Sequence, residues 1–221
     1  MRGRILSYHG TGTPEWGVND VSPANFQRQV ELALQLGYRF EPAEEIARGN
    51  GGPLSLAITF DDGLRSILDV TGWLAERRLP YTVFVVTDWA DEGGERFLSW
   101  EDLRELAGAG AIIGSHSLSH RNFRELPPSD RRAELERSRQ AIAVQFGSAP
   151  AGFAIPFGRR RDWDVECTEL ARGAGYESVY AQAESRRPRG TVGRSFVTKY
   201  DGPRHFQAIL EGRFDHWEEW F

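Results

Sequence analysis

The chain has 221 residues, enough for one sizeable hydrophobic core and too few to demand a second. A hydrophobic fraction of 40% and an aromatic fraction of 12% exclude a disordered chain, and a formal net charge of -5 gives no electrostatic reason to bind nucleic acid or an anionic membrane surface. Basic runs at 159–161 (RRR) and 186–189 (RRPR) are short and far apart, so they read as solvated loops, local substrate contact being the other reading.

Taken in chain order, short apolar runs alternate with longer amphipathic ones. Strand patterns fall at 4–9 (RILSYH), more weakly at 38–40 (YRF), and at 54–60 (LSLAITF), 81–86 (YTVFVV), 111–116 (AIIGSH), 152–157 (GFAIPF), 176–181 (YESVYA) and 194–200 (RSFVTKY). Helical patterns lie between them at 23–36, 64–78, 100–109, 129–146, 164–174 and 204–212. Ser22 and Pro23 form a good N-cap and first position, and Gly147 closes the helix whose face carries Leu135, Ile142 and Phe146. This alternation predicts an α/β fold: a closed or nearly closed barrel of about seven or eight largely parallel strands, with function at their C-terminal ends.

The Gly and Pro clusters read as loops within one domain spanning 1–221, and there is no internal repeat. The lone Cys167 can form no internal disulfide and has no ligand-spaced neighbour, so it reads as a packing residue in a helix. There is no secretory leader pattern, and no run approaches the roughly 18 apolar residues of a membrane helix, so the expectation is a cytoplasmic chain without a membrane span.

Three strand ends carry polar residues that a packed strand does not need. In LAITFDDGLRS an apolar strand runs into Asp61 and Asp62; on extended chain their side chains point to opposite sides, one able to bind a metal while the other addresses a water. Asp-Asp-Gly is equally the mark of a turn and helix cap. In AIIGSHSLSH, His116 and His120 are four apart, a spacing that puts both rings on one side of a helical turn and can offer two nitrogens to Zn²⁺, or can be a cap and a surface residue. In GFAIPFG, Pro156 and Gly158 make a plain turn, or a bend that presents the Phe157 N–H to a developing oxyanion. Loop aromatics Trp16, Trp89 and Trp163 are candidates for a sugar platform, whereas Trp73 and Trp100 lie in helical patterns and read as core.

TFDDG, HSLSH and IPFG, in this order, resemble the polysaccharide deacetylases of the NodB-like type, carbohydrate esterase family 4. The resemblance implies a distorted (β/α) barrel of about seven strands that removes N-acetyl groups from amino sugars with one divalent metal, most often zinc. Carried onto this chain, it makes Asp62, His116 and His120 the metal ligands and Asp61 the general base. The third motif of the family usually opens with an Arg that orients the base; here that position is Ala154.

The C-terminal strand end that supplies an acid His in many members has no counterpart either, since His205 and His216 follow no apolar strand. ILSYHG at the N-terminus has the required shape, as in the branch that includes the poly-N-acetylglucosamine deacetylases. In a closed barrel a first strand can fill the slot of a last one, so His9 is the expected acid. The expected substrate is an N-acetylated sugar or saccharide, free, nucleotide-linked, lipid-linked or polymeric. Hydrolysis of a small cyclic amide or other N-acylated metabolite on the same barrel, or a non-catalytic sugar-binding role, are the alternatives.

Overall fold

The computed structural model describes residues 3–183 and 186–215. Its strands are β1 (Arg4–Tyr8), β2 (Arg39–Phe40), β3 (Ser55–Phe60), β4 (Tyr81–Val85), β5 (Ile112–Ser115), β6 (Gly152–Ala154), β7 (Ser178–Gln182) and β8 (Val192–Phe196), and every pairing between them is parallel. Parallel neighbours cannot be joined by a hairpin, so the connections cross over through helices. These are α1 (Pro23–Gln35), α2 (Ala43–Arg48), α3 (Leu68–Glu76), α4 (Thr87–Glu92), α5 (Trp100–Gly108), α6 (Pro128–Phe146) and α7 (Val165–Gly173). The described residues between β7 and β8 hold no helix, and α8 (Pro203–Leu210) follows the last strand.

The sheet closes because β1 has a partner on each edge. Tyr8 stands opposite Phe60 of β3, and Leu6 opposite Ser195 of β8. β1 and β3 to β8 therefore form a ring of seven parallel strands, with β2 beside the start of β3 and outside the ring. Closure puts all the C-terminal strand ends on one rim.

The period-two alternation sorts each strand into a face toward the helices and a face toward the lumen. Leu6, Tyr8, Ile58, Phe60, Val83 and Val85 pack in the larger helix-facing core, and Phe153, Ile155 and Val179 in a second one against α6 and α7. Their inward neighbours Ile5, Ala57, Phe84, Ala154 and Tyr180 fill the lumen. Phe84 and Tyr180 supply most of that filling, with ring centroids 5.1 Å apart. Small residues around them are a packing requirement: a Cβ at Gly114 would stand 2.5 Å from the Phe84 ring.

Expected and observed elements agree in most places. Ser22 caps α1 through the Asn25 N–H, and Gly147 ends α6 in the left-handed region, at φ 72°. Three details differ. The six-residue helices α2 and α4 are too short to show a 3.6-residue period. The 64–78 pattern is a short 3₁₀ turn followed by α3. Finally, β8 begins at Val192 rather than at 194, which proves consequential at the site. Among the described residues no helix is long and apolar enough to cross a membrane.

Gly114→Ala should destabilise the fold by about 1–3 kcal/mol through overpacking against Phe84. Urea unfolding measures this; an unchanged midpoint would show that the lumen has slack.

Candidate active site

β3 delivers Asp61 and Asp62 to the rim, and the two leave in different directions. Asp61 still follows the strand, its N–H donating to the Tyr8 carbonyl at 2.9 Å. Asp62 turns into the left-handed region at φ 69°, so the split in direction comes from a turn and not from extended alternation. Gly63 follows at φ 65°, where a residue without Cβ is at ease. The loop is then held from outside: the Leu98 N–H donates to the Gly63 carbonyl at 2.9 Å, and Arg65 pairs with Asp102 at 2.5 Å.

The two histidines meet in a way their spacing does not predict. The chain after β5 forms no helical turn; Ser117 (φ 74°) and His120 (φ 58°) are both left-handed, and this folds the loop back on itself. The two ring centroids lie 4.9 Å apart. Such backbone costs on the order of 1–3 kcal/mol per residue and persists only where its surroundings impose it. Here Glu134 of α6, itself buried, accepts hydrogen bonds from the N–H groups of Leu118 (3.0 Å) and Ser119 (2.9 Å) and from the Ser119 hydroxyl. The Ser117 hydroxyl accepts the His120 N–H at 2.9 Å.

Three donor atoms converge. Asp62 Oδ1 lies 3.4 Å from His116 Nε2 and 3.3 Å from His120 Nε2, and the ligand atoms of this trio all fall within 4.8 Å of one another. His116 Nδ1 donates to the Ala154 carbonyl at 2.9 Å, which turns its Nε2 toward Asp62. Asp62 Oδ1 is buried and accepts no hydrogen bond among the described residues.

The local charges fit a cation. Burial alone would pull the His116 pKa down, but the Asp61 and Asp62 charges outweigh it and raise it, so the carboxylates call for a positive charge here. Burial and then the neighbouring His116 push His120 down to about 4, the neutral form that ligates. Two imidazoles and one carboxylate around a buried, unsatisfied oxygen are a donor set for a divalent transition metal.

Asp61 has a different partner. With Ala154 where the motif carries Arg, the carboxylate is held by Arg194 of β8: Nη1 to Oδ1 is 2.6 Å and Nη2 to Oδ2 is 2.7 Å, a two-pronged pair with both residues buried. The Ser7 hydroxyl donates to Oδ2 at 3.2 Å, and Arg194 Nη1 also donates to the Thr59 hydroxyl at 3.0 Å. The guanidinium lies over the Phe84 ring, 5.2 Å from its centroid. Burial would raise the Asp61 pKa; the Arg194 charge, with His116 next, outweighs it and holds the carboxyl well below the usual carboxylate range.

Sequence reasoning missed Arg194. Placing the strand start there made it a flanking residue, whereas in the real strand Val192, Arg194 and Phe196 alternate toward the lumen. A charged residue on the inward face of that alternation was the available signal.

His9, at the end of β1, lines a cavity of about 30 Å³ together with Asp61, His116, Phe157 and Arg194, and its ring meets Phe196 edge-on at 5.4 Å. Phe157 takes φ 64° in the bend after β6; its ring lies 4.8 Å from His120, and its N–H makes no hydrogen bond among the described residues. The six residues expected to bind metal or take part in catalysis (His9, Asp61, Asp62, His116, His120 and Phe157) thus stand on one rim. His205 lies on α8 against Phe214, and His216 is outside the described residues.

Of the tryptophans expected on loops, Trp89 instead lies in α4 and Trp16 in a 3₁₀ turn at Pro14–Asn19; Trp89 stacks on His120 (5.3 Å) and on Phe97 (4.6 Å), with Trp16 at 6.5 Å. Trp163 is a correction: it is core, 2% exposed, its Nε1 donating to the Thr168 hydroxyl.

A family model described as polysaccharide deacetylase matches residues 48–179. A peptidoglycan-N-acetylglucosamine deacetylase of Bacillus cereus is 24% identical over 140 residues, 62% of this chain and 50% of that one. Among solved structures, the deacetylase PplD of Streptococcus pyogenes, in complex with acetate, superposes with a TM-score of 0.83 at 19% identity, covering 95% of this chain and 98% of that one. IcaB from Ammonifex degensii does so with 0.76 at 23%, covering 94% and 95%. These two likenesses show a shared fold. The chain spans between 38% and 50% of the length of the curated relatives it matches.

Arg194→Met leaves the buried Asp61 charge unpaired and should cost about 3–5 kcal/mol of stability. Activity should fall about 10²-fold, mainly in kcat, because the carboxylate loses its aim. Arg194→Lys should recover part of both. Thermal melts and steady-state kinetics on the two variants are the check, and equal losses in both would reduce Arg194 to a purely structural role.

Proposed function

The chain belongs to the polysaccharide deacetylase family, and on that premise we propose that it hydrolyses the N-acetyl group of an amino sugar in a saccharide, releasing acetate. The observation that carries this reading is the division of labour between two adjacent buried carboxylates. Asp62 faces two imidazoles, while Asp61 is kept ionised by Arg194 and faces the cavity that His9 and Phe157 also line. A module that only binds sugar has no use for the second carboxylate.

Asp62, His116 and His120 would hold one divalent cation, zinc suiting two nitrogens and one oxygen best. When bound, such an ion supplies Lewis acidity toward the acetyl carbonyl and lowers the pKa of a water toward about 7. Asp61 takes the proton from the water that adds to the acetyl carbon. The Phe157 N–H faces the oxygen on which negative charge develops, a kind of donor worth on the order of 3 kcal/mol of barrier. His9 gives a proton to the amine nitrogen as the C–N bond breaks, since an unprotonated amine leaves poorly. Acetate and a free amino sugar are the products, and the atoms of one water are divided between them.

Trp16 and Trp89, in the aromatic wall beside His120, are the proposed sugar contacts. The Bacillus cereus relative is named for peptidoglycan N-acetylglucosamine, which supports that sugar as the acetylated unit here too. Residues 1–221 are proposed to act as a single catalytic domain.

Acetate release from N-acetylglucosamine oligomers should stop on chelation and return with added Zn²⁺; turnover that ignores the chelator would sink the metal assignment. Asp61→Asn should lower kcat by about 10²–10⁴-fold with metal content retained, whereas Asp62→Ala should lose the metal. His9→Ala should slow the reaction far more than His205→Ala, and the opposite ranking would move the acid elsewhere.

A further inference from the structure

The two basic runs at 159–161 and 186–189 are not separate in space. The folded chain brings them to one cleft of about 810 Å³, lined by the arginines at 159–161, by those at 186, 187 and 189, and by Arg124. Asp164 is the one acidic side chain in that lining among the described residues, and it is already paired with Arg124 at 2.5 Å and faces Arg131 at 3.8 Å. Asp162, buried beneath, holds Arg159 at 2.9 Å. Several of the arginines also engage other groups of the protein, so what counts is the sign of the sum. Among the described lining residues that sum is positive, in a chain whose net charge is -5.

The cleft adjoins the candidate active site. The Arg159 guanidinium lies 5.9 Å from the centroid of the Phe157 ring, and that ring lies 4.8 Å from His120. One side chain therefore separates the arginines from the metal-ligand trio. IPFG runs directly into RRR, so the bend that presents the Phe157 N–H also starts the basic wall.

A cleft lined by one sign of charge focuses its field, and the guanidinium fork matches the spacing of carboxylate and phosphate oxygens. We propose that this cleft is a substrate subsite for an anionic group, a carboxylate or phosphate carried by the saccharide next to the N-acetylated residue. The inference rests on the deacetylase reading and narrows it: the preferred substrate is an acidic glycan or a phosphate-linked amino sugar rather than a neutral polymer of N-acetylglucosamine.

The test is calorimetric binding to the full chain carrying Asp61→Asn, which removes turnover and leaves the cleft alone. Three probes are compared: chitohexaose, which is neutral; a hyaluronan hexasaccharide, in which carboxylates alternate with N-acetylglucosamine; and a uridine diphosphate-linked N-acetylglucosamine, which carries phosphates. At least one charged probe should bind about tenfold or more tightly than chitohexaose, and which one it is identifies the oxyanion. The advantage should vanish between about 0.1 M and about 1 M salt, as the screening length falls from about 10 Å to about 3 Å. The double variant Arg160→Gln/Arg189→Gln should lose the advantage while binding chitohexaose as before.

Equal binding of neutral and charged probes at low salt overturns the subsite, and the salt series on the Arg160- and Arg189-intact protein decides this even if the double variant fails to fold. Acetate release from chitohexaose with no preference for charged probes would sink the subsite and spare the reaction. Charge-dependent binding without acetate release from any probe by the Asp61-intact enzyme would do the reverse.

Discussion

The proposed reaction asks Asp61, the carboxylate at the end of β3, to stay ionised as a base although it is buried. Everything else at the rim is arranged around that constraint. Burial pushes the Asp61 pKa up; the two-pronged pair with Arg194 outweighs it, and with the Ser7 hydroxyl fixes the direction of the carboxylate. The pair joins β3 to β8 across β1, so it can form only because β1 bonds to both and closes the ring. Its floor is the aromatic filling of the lumen, with Phe84 under the guanidinium, and that filling depends in turn on small residues such as Gly114. Fold and chemistry are coupled through one ion pair.

The neighbouring trio shows a second economy. His116 is oriented by the Ala154 carbonyl, so the position that lacks the motif arginine still serves the site through its backbone. His120 is placed by a loop that Glu134 holds from outside the barrel at Leu118 and Ser119, between the left-handed residues Ser117 and His120. Among the described residues, four of the five non-glycine residues with positive φ (Asp62, Ser117, His120 and Phe157) stand at this rim, and Arg78 is the fifth. Strain is concentrated where side chains must be aimed, and α6 and the barrel supply the packing that sustains it.

The rim extends to both sides. On one flank Trp89, Phe97 and Trp16 form an aromatic wall ending on His120; on the other, Phe157 leads to the arginine cleft. An aromatic surface and a basic one thus lie on opposite flanks of the same rim. Each was visible in the sequence only as scattered tryptophans and two basic runs.

What the sequence by itself determined are the features carried by local pattern. The alternation of strands and helices required a parallel sheet, and TFDDG, HSLSH and IPFG placed Asp61, Asp62, His116, His120 and Phe157 at strand ends. ILSYHG marked His9, because a polar residue ending an apolar strand is legible one strand at a time. What the tertiary structure decided are relations between segments far apart in the chain. Arg194 lies 133 residues from Asp61, and its role follows from barrel closure and from which face of β8 points inward. Glu134 reaches back to the histidine loop, the two basic runs meet in a cleft, and Trp163 moves from loop candidate to core. No local period encodes these, because burial and charge pairing are fixed by which surfaces the closed sheet brings together.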